Sequence, residues 1–113
     1  MKKYKIDALK EQCGYDPAFF NEMLDTFIVS TEKGVEGMEE ALLKHDNSAL
    51  AYYAHKIVSP CRHIEADNLV LLLKELENKS ASEKMLPEEM NELVKKIRSE
   101  SEELKEELKK EYL

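Results

Sequence analysis

An imidazole offers a neutral nitrogen nucleophile near pH 7, and of the three histidines in the chain His55 has the setting in which one could be used. It lies in Asp46 to Ala66, DNSALAYYAHKIVSPCRHIEA, where Leu50, Tyr53, Ala54, Ile57, Cys61 and Ile64 recur at intervals of three and four. That spacing marks one buried face of a helix. At about 100° per residue His55 falls roughly 180° from the middle of the apolar stripe, so its ring is predicted to face water and could take up a phosphoryl group. An exposed helical histidine is commonly no more than a solvated side chain, so the surrounding pattern decides how far the chemistry can be taken.

The frame Asp46, Leu50, Ala54, His55, Ile57, Ile64 and Ala66 resembles the histidine phosphotransfer (HPt) domain, whose signature sets an exposed histidine after an alanine. The helix pattern is similar to that family over nearly the whole chain. The resemblance implies that His55 takes phosphate from an aspartate on one response-regulator receiver domain and passes it to another. Ala54 and Ile57 would pack beside it. Four places depart from the family's usual residues: Val58 stands for a lysine, Ser59 for a glycine, Pro60 for a small residue and Glu65 for a glycine. Glu65 must therefore make a turn without glycine's freedom at positive φ.

With no lysine one turn beyond His55, two other cations are candidates for holding phosphate. Arg62 lies only about 20° from His55 around the helix but about 10 Å along it, and Lys56 points about 100° away. The helix surface formed by Ala51, Tyr52, Val58, Ser59 and Arg62 is the predicted docking patch, with Tyr52 and Val58 read as apolar bodies set away from the core centre that either meet a partner or tuck against an adjacent helix. Pro60 removes the backbone hydrogen bond to the Lys56 carbonyl. Because Cys61 and Ile64 keep the apolar phase, a kinked helix that continues is predicted there.

Around this stretch the sequence predicts helices throughout. Tyr4 to Cys13 forms a short lid ended by Gly14, and Asp16-Pro17 caps a helix reaching about Lys44. That helix has a stripe of Phe20, Leu24, Phe27, Ile28, Thr31, Val35, Met38 and Leu42, interrupted by Gly34 and Gly37, which read as tolerated surface glycines or, alternatively, as room for a bend or a close neighbour. A helix from about Ala66 to Asn78 follows, with Leu69, Leu72, Leu73 and Leu76 facing the core and Val70 and Leu71 meeting the N-terminal helix. Lys79 to Leu86 reads as a loop. Pro87 then opens a last helix whose Met90, Leu93, Val94, Ile97, Leu104 and Leu108 keep close to a heptad, compatible with a bundle seam or a coiled coil. The expected fold is all-α: an antiparallel up-down-up-down four-helix bundle with a short N-terminal capping helix, residues 1–113 forming a single domain.

Composition narrows the chemistry further. A net charge of −7 without a basic cluster argues against direct nucleic-acid binding, which depends on counterion release by Lys and Arg. No apolar run approaches the roughly 20 residues needed to cross a bilayer and no signal-peptide core opens the chain, so a cytoplasmic location without membrane contact is expected. Cys13 and Cys61 are too few and too widely spaced for a disulfide framework or a zinc site, and His55 and His63, about 12 Å apart along a helix, cannot share a metal. Neither a Gly-rich nucleotide loop nor an acidic metal cluster is recognisable, so autonomous kinase activity and bound cofactors are not expected. The resemblance implies instead that the receiver supplies the magnesium. The chain is read as a monomeric phosphoryl carrier, either free or attached to a hybrid sensor kinase. The alternative is a noncatalytic helical interaction module, as a degenerate member that binds receivers without carrying phosphate or as a coiled-coil adaptor.

Overall fold

The computed structural model describes residues 4–82 and 87–113, and every element among them is helical: α1 (Asp7–Gln12), α2 (Pro17–Leu43), α3 (Asn47–His63), α4 (Asp67–Ser82) and α5 (Pro87–Tyr112). Local sequence explains most of the boundaries. Asp16 starts α2 by accepting from the backbone N–H groups of Ala18 and Phe19 at 3.0 and 3.4 Å, with Pro17 in the first turn. Asp46 starts α3 in the same way, through Ala49 N–H at 3.0 Å.

Three helices end in the same motif. After α1, α2 and α3 the chain enters a left-handed residue, Gly14, His45 and Glu65, at φ of 63°, 53° and 51°. The N–H groups that follow fold back on the last carbonyls: Tyr15 to Lys10, Asp46 to Ala41 and Ala66 to Cys61, at 3.0, 2.9 and 3.0 Å. This double-bonded reversal satisfies carbonyls that the helix leaves open. Only Gly14 has the residue type suited to it, and a side chain at the other two costs about 1 kcal/mol each.

Packing contacts run from α2 to α3, α3 to α4, α4 to α5 and α5 back to α2, a closed ring of helices around one apolar cluster. Leu24, Met38, Leu50, Ile57, Leu73, Leu76, Ile97 and Leu108 are buried at its centre. The heptad residues of α5 all lie in this cluster, and Ser101 is buried on the same helix. A bidentate Arg98–Glu39 pair also ties α5 to α2. Before α1, Tyr4 and Ile6 are buried, Lys5 N–H bonds the Ile64 carbonyl at 2.7 Å, and the Tyr4 hydroxyl donates to Glu111 at 2.7 Å.

Several sequence expectations need correction. α1 is shorter than Tyr4 to Cys13, because Lys5 N–H bonds the Ile64 carbonyl at the end of α3 and the first turn begins only at the Ile6 carbonyl, which accepts from Lys10 N–H. α4 continues past Asn78 to Ser82, since Ser80 lies on its buried face, so the first four residues of the expected loop are helical. The rest of that loop, 83–86, lies outside the described residues. Leu71 does not meet the N-terminal helix: it is 68% exposed, while Val70 packs partly against the core. Gly34 and Gly37 are buried, not superficial.

Candidate functional site

α3 runs unbroken through Pro60, as the apolar phase predicts. Leu50, Ala54, Ile57 and Cys61 hold it in the core, and burial pushes the Cys61 thiol up to about 12, which leaves it inert as a nucleophile. The two glycines of α2 set how closely α3 approaches. A methyl carbon on Gly34 would stand 2.7 Å from Ile57 Cγ2, and one on Gly37 would stand 2.6 Å from the Tyr53 ring. They are absent side chains at the level of the His55 turn, which explains their burial.

On the opposite side of α3 His55 projects into solvent, its side chain 75% exposed. It is not isolated. Its Nδ1 lies 2.7 Å from Oε1 of Glu77, a half-buried residue of α4. A carboxylate only accepts, so Nδ1 must carry the hydrogen, and the lone pair is left on Nε2, the ring atom farther from the backbone. Glu77 thus both fixes the ring and selects the nitrogen that can act as a nucleophile. Its second oxygen, Oε2, is buried without a protein partner.

Of the predicted patch, Tyr52 is 57% exposed, Lys56, Ser59 and Arg62 are exposed, and Ala51 is half-buried. Lys56 holds its ammonium 5.8 Å from the centroid of the Tyr52 ring. Val58 is a correction. It is buried at 6% exposure, because the side of α3 on which it lies is the side covered by α4. An apolar residue there is core, not docking surface.

Ser59 and Pro60 do border an open apolar groove of about 230 Å³ between α3 and α2, lined also by Met23, Phe27, Leu9 and His63. His63 is held apart from His55, with Nδ1 3.2 Å from Gln12 Oε1, and His45 sits in the turn after α2. The structure therefore brings no histidines together, and no cluster of three or more His, Cys, Asp or Glu able to hold a metal occurs among the described residues.

No local spacing marks Glu77. Glu75 and Glu77 are equivalent to inspection, and only the way α4 is rotated against α3 decides that the second reaches the ring. Glu75 instead pairs with Lys79 along its own helix.

Fold and site together define a helical bundle that presents one braced, solvent-facing imidazole. The family model of the Hpt domain matches residues 22–111, and the chain belongs to that family. The family implies histidine phosphotransfer in two-component signalling, with receiver domains as the interacting partners. No curated protein and no solved structure matches the chain. No helix among the described residues is long and apolar enough to cross a membrane.

Proposed function

We propose that this chain is a phosphorelay intermediate that carries a phosphoryl group on Nε2 of His55 between aspartates of two receiver domains. The observation that carries the reading is the 2.7 Å contact from Glu77 to Nδ1, which leaves a free lone pair on an exposed nitrogen. In the forward step that lone pair attacks the phosphorus of a receiver's aspartyl phosphate. The P–O bond to the aspartate breaks, its electron pair remains on the carboxylate, and the imidazolium so formed keeps its Nδ1 proton against Glu77. In the second step another receiver's aspartate attacks the same phosphorus and the P–N electrons return to Nε2.

The receiver is the source of magnesium in this scheme, and the chain itself binds no cofactor and phosphorylates nothing from ATP. Docking would use the surface around His55, with Ala51, Tyr52, Ser59 and Arg62 from the predicted patch and the apolar groove beside Pro60. The reading is of a single cytoplasmic domain, monomeric, with an up-down-up-down bundle. The short turns at 44–46 and 64–66 and the closed ring of helix contacts support that topology.

Two rivals are less well supported. A coiled-coil adaptor needs the heptad face of α5 free, yet Leu104 and Leu108 are buried in the chain's own core. A degenerate receiver-binding module has no use for a carboxylate that orients the ring. Mixing the protein with a phosphorylated receiver should produce an acid-labile, alkali-stable modification that His55→Gln abolishes. Transfer that persists in His55→Gln refutes the assignment, and no transfer from several genuine receivers favours the degenerate module.

A further inference from the structure

Phosphorylation of His55 sets a group with nearly two negative charges beside a ring already in contact with the Glu77 carboxylate. A cation is needed within reach, and those of α3 are engaged or distant. Lys56 lies over the Tyr52 ring, Val58 is buried one turn on, and Arg62 is two turns away, about 10 Å along the axis.

The neighbouring helix does. The His55–Glu77 contact fixes the register between α3 and α4, which the short turn at 64–66 folds back along each other. One turn toward the end of α3 is then matched by one turn toward the start of α4, so Lys74 stands level with Val58. Its rotation about α4 agrees. With Leu69, Leu73, Leu76 and Ser80 facing the core, Glu77 and Lys74 turn about 40° and 100° from Leu73 toward α3. Leu72, Glu75 and Lys79 turn the other way, onto grooves shared with α5. Lys74 is half-buried and has no ion-pair or hydrogen-bond partner among the described residues, whereas Lys79 pairs with Glu75 and Lys105 with Glu32 and Glu102.

We propose that Lys74 is the phosphoryl-binding cation of this site, its ammonium meeting the phosphoryl oxygens on Nε2 of His55 from across the α3–α4 seam. The axial offset from Glu77 is about 4.5 Å, within the sweep of a flexible four-carbon side chain. The inference rests on His55 being the phosphoryl acceptor. It assigns to α4 the charge, since Lys56 of α3 is engaged on the Tyr52 ring and Arg62 lies two turns away.

The test measures the equilibrium share of phosphate between a phosphorylated receiver and the protein, for wild type, Lys74→Met, Lys74→Arg and Arg62→Met, with the melting temperature of each. The transfer equilibrium depends on the free phosphorylated species and not on docking, so it reads the stability of phospho-His55. Lys74→Met should lower the share on His55 about fivefold, the ratio that one charge pair at about 4 Å in water supplies. Lys74→Arg should keep most of it, any loss in Arg62→Met should be smaller than that in Lys74→Met, and all should melt as the wild type does. A wild-type share in Lys74→Met, or a loss carried by Arg62→Met alone, overturns the assignment while leaving His55 as carrier. Failure of the wild type to accept phosphate overturns both.

Discussion

Replacing Glu77 by glutamine tests whether the carboxylate decides which nitrogen of His55 reacts. The substitution preserves size but offers an amide that can donate as well as accept, so Nδ1 is no longer obliged to carry the hydrogen. A hydrogen bond to a charged group is worth about 1.5–3 kcal/mol when sheltered, and an exposed ion pair about 0–1 kcal/mol. Here one partner is 75% exposed and the other 22%, which places the brace near 1 kcal/mol, or about a fivefold bias in tautomer ratio. Long-range nitrogen NMR of the His55 ring should show the Nε2–H form gaining by that factor in Glu77→Gln. Single-turnover transfer from a phosphorylated receiver should slow about fivefold. Glu77→Met adds a control, because it also removes the buried, unpartnered Oε2 and should slow transfer with no loss of melting temperature. Wild-type transfer by Glu77→Gln, with an unchanged tautomer ratio, would refute the reasoning.

Gly34→Ala should destabilise the fold by about 1 kcal/mol, since Ile57 Cγ2, fixed directly to its β-carbon, stands 2.7 Å from the added methyl, and overpacking of about 1–3 kcal/mol outweighs the helix-propensity gain of about 1 kcal/mol. A urea titration showing stabilisation instead would mean that α2 and α3 are not so close. Glu65→Gly should do the opposite, raising stability by about 1 kcal/mol, because the residue sits at φ 51° and closes the turn after α3; an unchanged or lowered urea midpoint would count against strain there. Alkaline titration should expose two buried acids. Burial and the Glu111 contact raise the Tyr4 phenol, and burial raises the Cys61 thiol from 9.0 to about 12. Both folded-state values lie above the unfolded ones, so the Cys61 contribution is complete below pH 9 and lost as pH rises from 9.0 to about 12, and the Tyr4 contribution is complete below and lost above pH 10.0. Tyr4→Phe should flatten the fall in urea midpoint above about pH 10, and an unaltered slope would contradict the burial of that hydroxyl.

The periodicity of apolar residues was enough to mark the face of α3 that is buried and to turn His55 outward, because a helix repeats every 3.6 residues whatever it packs against. Caps were equally legible. Asp16-Pro17 and Asp46 act through neighbours two or three residues away, and the turn at Glu65, φ 51°, is legible only through the resemblance, because the family carries a glycine at that place. Pattern within a helix also placed the seam of α5 correctly.

What the sequence left open depends on which side of each stripe a neighbouring helix covers. Val58 and Arg62 look alike on a helical wheel, yet α4 buries the first and leaves the second wet. Gly34 and Gly37 read as defects on a surface until Ile57 and Tyr53 fill the space above them. Glu77 and Lys74 could not be attached to His55 at all, being 22 and 19 residues away, as numbered, on another helix. The nucleophile was written in local spacing; the carboxylate that orients it came only from the rotation and register of two packed helices, which are set by the summed fit of many side chains and by no short motif.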